Sequence, residues 1–299
     1  LYGITARGTS RTFKLVLEKG PAPPSPFSIE YKKDEYLVLM FSGKPVFRYN
    51  CGNIRENEYK SVSTKRTPYI HPVWTPSGKI ITEDFSSVHT NQKGIFNRWE
   101  RVRFGDLEVN FWDANKELEW KLRDNPDPGI SNGLVYSRLC FYNKCVYKGN
   151  TLMYEIFNVK TYAIPDKDMW FLDVYIQQNP VDPRKPQMIP MTTTSATAIL
   201  KKGNASKNSD EKSKGGFNME LLQAPYGGMT FRGLDAWRSE RASLDVLTSE
   251  NKTKSDGNGT EARWIDYTGP LGDEWGGIAV FDHPSNLRYP TPVYIHPEI

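Results

Sequence analysis

Along most of this chain apolar and polar residues alternate with a period of two, and no stripe of period 3.6 is sustained. That pattern restricts the chain to half-buried antiparallel strands. Leu107, Val109 and Phe111 fall on one face of such a segment, as do Trp170, Leu172, Val174 and Ile176. Between residues 145 and 162 the alternation continues on both sides of Lys148-Gly149-Asn150, a turn signal that predicts a hairpin. Helix-compatible composition is confined to 210–213 and 234–247, and the second stretch carries Trp237 and Leu244 without a clean apolar face. The 21 prolines and 23 glycines fall as turn punctuation. Their densest cluster, Pro21-Ala22-Pro23-Pro24-Ser25-Pro26, joins a first strand expected at 13–17 to the next. These features predict an all-β, single-domain antiparallel β-sandwich over residues 1–299 with few short helices. A doubly wound α/β fold is excluded, because its alternation of strands with long amphipathic helices is missing. Residues 201–216 and 249–259, rich in Lys, Ser, Asn and Gly, read as mobile solvated loops within that domain.

Composition narrows the partners. An aromatic fraction of 13% within 38% hydrophobic residues supplies a sizeable core. The net charge of +4, from 39 basic and 35 acidic residues, is spread along the chain, so a nucleic-acid partner is not indicated. The most apolar run, residues 36–41, is strand-sized and far short of the roughly 20 residues a membrane helix needs, so no membrane insertion is expected. Leu1-Tyr2-Gly3-Ile4 lacks the basic start of a signal peptide, and a secreted form would have lost that segment already. Cys51, Cys140 and Cys145 match no zinc spacing; a local Cys140–Cys145 disulfide and reduced core thiols both fit.

Two constellations carry side chains suited to chemistry. The first, residues 66–99, holds Arg66, His71, Trp74, His89, Asn91 and Lys93, with Tyr69, Glu83 and Asp84 among them. A histidine near neutral pKa transfers protons, carboxylates and amides fix hydroxyl groups, and an aromatic face stacks on a sugar ring. The second, residues 261–290, holds Arg263, Asp266, Asp282, His283 and Arg288; here a cap on the turn before Pro284 explains Asp282 equally well. His71, His89, His283 and His296 form no short-spaced pair, so no metal is expected. Phosphate-loop, dinucleotide and nucleophile-elbow motifs are absent from the sequence, so no cofactor is expected either.

Several stretches resemble the secreted bacterial family of unknown function labelled methane oxygenase PmoA. They are Pro68-Tyr69-Ile70-His71-Pro72 leading to Thr75-Pro76-Ser77-Gly78, His89 through Gly94-Ile95-Phe96, Val109-Asn110-Phe111-Trp112, Ala262-Arg263-Trp264-Ile265-Asp266-Tyr267, and Phe281-Asp282-His283-Pro284-Ser285-Asn286. Asn91 and Gln92 stand in a string that is usually rich in histidine, and Tyr289 stands where histidine is common. Monooxygenase activity does not follow from the label, because a membrane monooxygenase subunit needs spans that this sequence lacks. The resemblance implies a galactose mutarotase-like supersandwich, a secreted or periplasmic (cell-envelope) location, and action on a carbohydrate or glycoside. The expected activity is that of a lyase, hydrolase or epimerase, with His89 or His71 transferring protons. Arg66, Trp74, Asn91, Lys93, Arg263, Asp266, Asp282, His283 and Arg288 would bind the substrate. A non-catalytic glycan-binding module uses the same residues and remains the alternative; the sequence leaves oligomeric state open.

Overall fold

The computed structural model describes residues 10, 12, 20–21, 23–52, 68–84, 86, 91–112, 117–122, 128–162, 164, 168–181, 219–221, 227–239, 244–286 and 288–295. The order opens with β1 (Phe27–Lys32), β2 (Tyr36–Phe41), β3 (Lys44–Asn50), β4 (Tyr69–Val73) and β5 (Ile95–Trp99). It continues with β6 (Val102–Phe104), β7 (Leu107–Val109), β8 (Leu118–Leu122), β9 (Gly129–Asn132), β10 (Tyr136–Tyr147), β11 (Asn150–Tyr162) and β12 (Phe171–Pro180). The last part holds β13 (Met219–Leu221), β14 (Gly227–Phe231), the short helix α1 (Asp235–Ser239), β15 (Asp245–Thr248), β16 (Trp264–Leu271) and β17 (Glu274–Phe281).

These strands form an all-β, sandwich-type fold. A six-stranded sheet, β1-β2-β3-β4-β5-β14, is the largest. A five-stranded sheet, β12-β11-β10-β8 with β9 also on β10, packs against it, and the described residues also form two three-stranded sheets, β13-β6-β7 and β15-β16-β17. Each pairing between named strands is antiparallel. Tight turns set the register. Ser42 and Gly43 both take positive φ, 48° and 78°, and so do Lys148 and Gly149, at 49° and 80°. Two consecutive left-handed residues make the type I′ turn whose twist matches a hairpin.

Alternation then decides what is buried. On β11, Glu155, Phe157, Val159 and Thr161 are buried while Tyr154, Ile156, Asn158, Lys160 and Tyr162 are half-exposed. The inward row meets the six-stranded sheet, where the ring of Tyr49 stacks on Phe141 with centroids 3.6 Å apart. Leu37, Leu39, Phe47, Leu139 and Val159 continue that core. A second cluster, including Val102, Phe111, Trp120 and Met153, lies where β6 and β7 meet β8 and β11.

Several sequence expectations meet a definite outcome here. The 145–162 hairpin is present as β10 and β11, with Tyr147 opposite Asn150. The helix-compatible stretch 234–247 divides into α1 and the start of β15, because Leu244 and Val246 are buried around an exposed Asp245, a period of two. Residues 249–259, read as a mobile loop, form a hydrogen-bonded turn followed by one turn of 3₁₀ helix at Lys254–Gly257. Asn258 ties that stretch down by accepting from the Ile295 amide at 3.0 Å. The strand expected at 13–17, the loop 201–216 and the stretch 210–213 lie outside the described residues. Cys51, Cys140 and Cys145 are buried free thiols. Cys140 and Cys145 sit five residues apart on one extended strand, about 17 Å, well beyond the reach of a disulfide. Among the described residues no helix is long and apolar enough to cross a membrane.

Candidate functional site

Strand β4 and the segment 81–84 run side by side, and their alternate residues meet in pairs. The Tyr69 hydroxyl donates to Asp84 Oδ2 at 2.6 Å, and His71 Nδ1 lies 2.9 Å from Thr82 Oγ1. Thr82 Oγ1 also accepts the Val73 amide at 3.0 Å, so one threonine fixes both the strand and the imidazole ring. Asp84 and Lys93 form an isolated antiparallel bridge, which places their side chains on the same face. The Lys93 ammonium lies 5.3 Å from the Tyr69 ring centroid and 6.0 Å from that of Phe96. Lys93 and Asp84 are 8% and 9% exposed, so the two opposite charges share one low-dielectric site, while His71 is half-buried and reaches solvent. Close packing sustains the arrangement: a Cβ on Gly94, whose φ is +40°, would lie 2.0 Å from the Ile70 carbonyl oxygen and 2.8 Å from His71 Cβ.

Arg232 holds the neighbouring segment. Its carbonyl accepts the Glu83 amide at 3.0 Å, its own amide donates to Gly94 O at 2.7 Å, and Gly94 N donates to Glu83 O at 2.7 Å. The Arg232 guanidinium donates to Ser86 Oγ at 3.0 Å and pairs with Asp235, and the Asp235 amide reaches Glu83 Oε2 at 3.3 Å. A buried arginine with a carboxylate partner thus fixes Glu83 and Ser86 near Lys93. The set can position a hydroxyl-bearing ligand, supply a fixed positive charge and exchange a proton at His71.

Among the residues singled out from sequence, His71 and Lys93 come together here, with Asn91 half-buried two positions before Lys93. Arg66 and His89 lie outside the described residues. Trp74 contributes its carbonyl, which accepts from Trp170 Nε1 at 2.8 Å. The C-terminal residues lie on the hairpin of β16 and β17 and at its open end. Asp282 caps its loop, accepting from Asn286 Nδ2 at 2.7 Å and from the Thr291 amide at 2.8 Å. His283 is exposed, and its Nδ1 lies 2.7 Å from Ser285 Oγ and 3.2 Å from the Ser285 amide nitrogen. Arg263 and Arg288 are exposed, and burial pushes the Asp266 carboxyl up, with Asp245 adding to the effect.

The two sequence segments meet at the turn of that hairpin and again along β17. Ser77 Oγ donates to Glu274 at 2.5 Å and Lys79 pairs with Asp273 at 3.1 Å. Further along β17, Ile278 and Val280 face Ile95, Met229 and Phe231 across an apolar groove of about 40 Å³, enough for a few waters and too small for a sugar ring. His283, beyond Phe281, lies an eight-residue strand, about 25 Å, from the turn that contacts Ser77 and Lys79. Among the described residues no group of three or more His, Cys, Asp or Glu is placed to hold a metal ion.

Residues 36–298 match the profile of a family of unknown function, DUF6807, which spans most of the chain. The chain belongs to the DUF6807 family. No curated protein and no solved structure matches it. In this DUF6807 chain a further polar group went unread in the sequence. Glu155 is buried between the two large sheets and accepts from Asn143 Nδ2 at 3.1 Å and Gln178 Nε2 at 2.9 Å. Asn143 Nδ2 also donates to the Tyr49 hydroxyl at 2.9 Å, and Trp99 Nε1 donates to Gln178 Oε1 at 3.1 Å. Arg98, stacked 4.3 Å over the Trp120 ring, donates to the Asn97 and Pro68 carbonyls. Burial holds the Glu155 carboxyl above its usual range, while Arg98, Gln178 and Asn143 pull it back.

Proposed function

We propose that this DUF6807 chain is a carbohydrate-active protein that processes a sugar or oxidised glycoside at the Tyr69–His71–Asp84–Lys93 cluster. The observation that carries the reading is the placement of a solvent-reaching imidazole, fixed by Thr82, beside a buried Tyr69–Asp84 hydrogen bond and a buried Lys93. His71 exchanges the proton, Lys93 stabilises negative charge developing on a substrate oxygen, and Asp84 keeps Lys93 balanced when no substrate is bound. His89, in the same stretch of sequence, is the second candidate for proton transfer. The resemblance to the PmoA-labelled family and to the galactose mutarotase-like supersandwich supports a sugar-processing role of lyase, hydrolase or epimerase type, in a secreted or periplasmic location.

The reading is tested by time-resolved NMR of the protein with neutral, uronic and 3-keto glycosides. Conversion of one class, lost in the His71→Asn protein, is the expected result. Line broadening of the glycoside without turnover identifies a glycan-binding module instead. Neither conversion nor broadening with any glycoside overturns the carbohydrate reading.

A further inference from the structure

The outward face of the five-stranded sheet is built unlike an ordinary solvated surface. Its inward residues, among them Leu139, Phe141, Asn143 and Phe157, are buried against the six-stranded sheet, so their alternates on β10, β11 and β12 face outward. Register sorts these into rows. At one end Tyr136, Tyr162 and Phe171 lie side by side, with the first two rings 6.3 Å apart. Further along the face the rows read Cys140, Asn158 and Tyr175, then Tyr142, Ile156 and Gln177, then Lys144, Tyr154 and Asn179. Aromatic rings and paired amides are the groups that hold a polyol chain, the rings against its C–H faces and the amides on its hydroxyls.

The charges on this face are arranged at a cost. Arg138 stands directly opposite Lys160, and Lys144 directly opposite Lys121. Like charges directly opposite each other destabilise a sheet, and here the register sets cation against cation twice, in rows six residues or about 20 Å apart on β10. Two acids on the same face offset part of that charge: Asp173 beside Lys160, and Glu119, whose carboxylate is 3.7 Å from Lys121 Nζ. The Lys160 ammonium lies 4.4 Å from the Tyr136 ring centroid and 5.1 Å from that of Tyr162, so cation and ring form one contact surface. The face therefore carries a modest positive excess, in two separated pairs, across a floor of tyrosines and amides with Ile156 among them.

We propose that this face is a docking platform for an acidic polysaccharide, a uronate-bearing chain whose carboxylates settle between the paired cations while its rings lie on the tyrosines. The amides select this partner over single-stranded nucleic acid: Asn158, Gln177 and Asn179 stand among the rings, where a polysaccharide presents hydroxyl groups and a single strand presents flat bases that need only aromatic faces. The platform uses none of the residues around His71 and stands without the reading of that cluster.

The test measures binding of polygalacturonate, fully methyl-esterified polygalacturonate and a dT oligonucleotide by thermophoresis at low and moderate salt. Polygalacturonate is expected to bind, more weakly as salt rises, with the esterified chain and the oligonucleotide at least tenfold weaker. Lys144→Glu turns the Lys121 pairing into an attractive one, so its melting temperature holds while polygalacturonate affinity falls at least tenfold. Tyr175→Ala weakens binding of the same polymer several-fold, and the His71→Asn protein binds it as the wild type does. Absence of polygalacturonate binding, equal binding of the esterified chain, tighter binding of dT, or unchanged affinity in Lys144→Glu each overturns the proposal.

Discussion

Replacing Asn143 by Leu tests how the two large sheets are joined. Asn143 is 2% exposed, and its amide serves both the Tyr49 hydroxyl at 2.9 Å and the Glu155 carboxylate at 3.1 Å. Leucine keeps the volume and removes both bonds. The bond to a hydroxyl contributes about 1 kcal/mol and the bond to a buried carboxylate about 1.5–3 kcal/mol. The acceptors left without that donor raise the total to about 3–5 kcal/mol. Tyr49→Phe removes the hydroxyl bond alone and keeps the ring stacked on Phe141, so it costs about 1 kcal/mol, and that cost falls toward zero in the double variant. Urea unfolding of the four proteins at pH 7 measures these differences. Acidity adds a sign. Because burial raises the Glu155 carboxyl in the folded state, folding takes up a proton there as pH falls, so this group subtracts stability progressively as pH rises above the unfolded value of about 4.3. Loss of the Asn143 donor raises the folded value further, so the penalty of Asn143→Leu shrinks when unfolding is repeated in acid. An Asn143→Leu protein no less stable than Tyr49→Phe, or a penalty that grows in acid, refutes the bridging role given to this amide.

Other consequences follow from single contacts. Gly94→Ala forces a Cβ to within 2.0 Å of the Ile70 carbonyl at a φ of +40°, and it is expected to lower the melting temperature more than Asn143→Leu does, or to prevent folding. Thr82→Val strips the partner from His71 Nδ1 and from the Val73 amide; a loss of about 1–2 kcal/mol is expected, with a changed ¹⁵N shift at His71 Nδ1 as the local readout. Tyr69→Phe removes the 2.6 Å bond to Asp84 and should cost about 1.5–3 kcal/mol in thermal unfolding. Burial pushes the Cys51 thiol up to about 12 and raises the Cys145 thiol as well. A thiol reagent at pH 8 should therefore find no reactive cysteine in the native protein and three in urea, whereas a Cys140–Cys145 disulfide would leave one.

The strands were legible because their alternation is enforced by burial on one side only. The 145–162 hairpin shows this, with the Lys148-Gly149 turn setting the pairing and the phase of every residue after it. Residues 234–247 were less legible, since the four-residue strand β15 is too short for its period to stand out beside α1. Ordering of 249–259 depends on Asn258 meeting Ile295, a contact from 37 residues away that local composition does not encode. At the site, His71 and Lys93 drew attention by residue type, but Thr82, Arg232 and the face shared by Asp84 and Lys93 emerge only when strands pair. The buried Glu155 did leave a trace. It falls on the same phase as Met153 and Phe157, where an acid among core residues signals a buried polar network.

The claim that matters most is that the Tyr69–His71–Asp84–Lys93 cluster turns over a glycoside. The most direct measurement is a pair of ¹H NMR time courses, wild type and His71→Asn, run side by side on the uronic and 3-keto glycosides at matched concentrations of folded protein. The account predicts product accumulating with the wild type and at least a hundredfold slower accumulation with His71→Asn, at nearly unchanged melting temperature, the scale expected for loss of a general acid or base. Equal rates for the two folded proteins would contradict it.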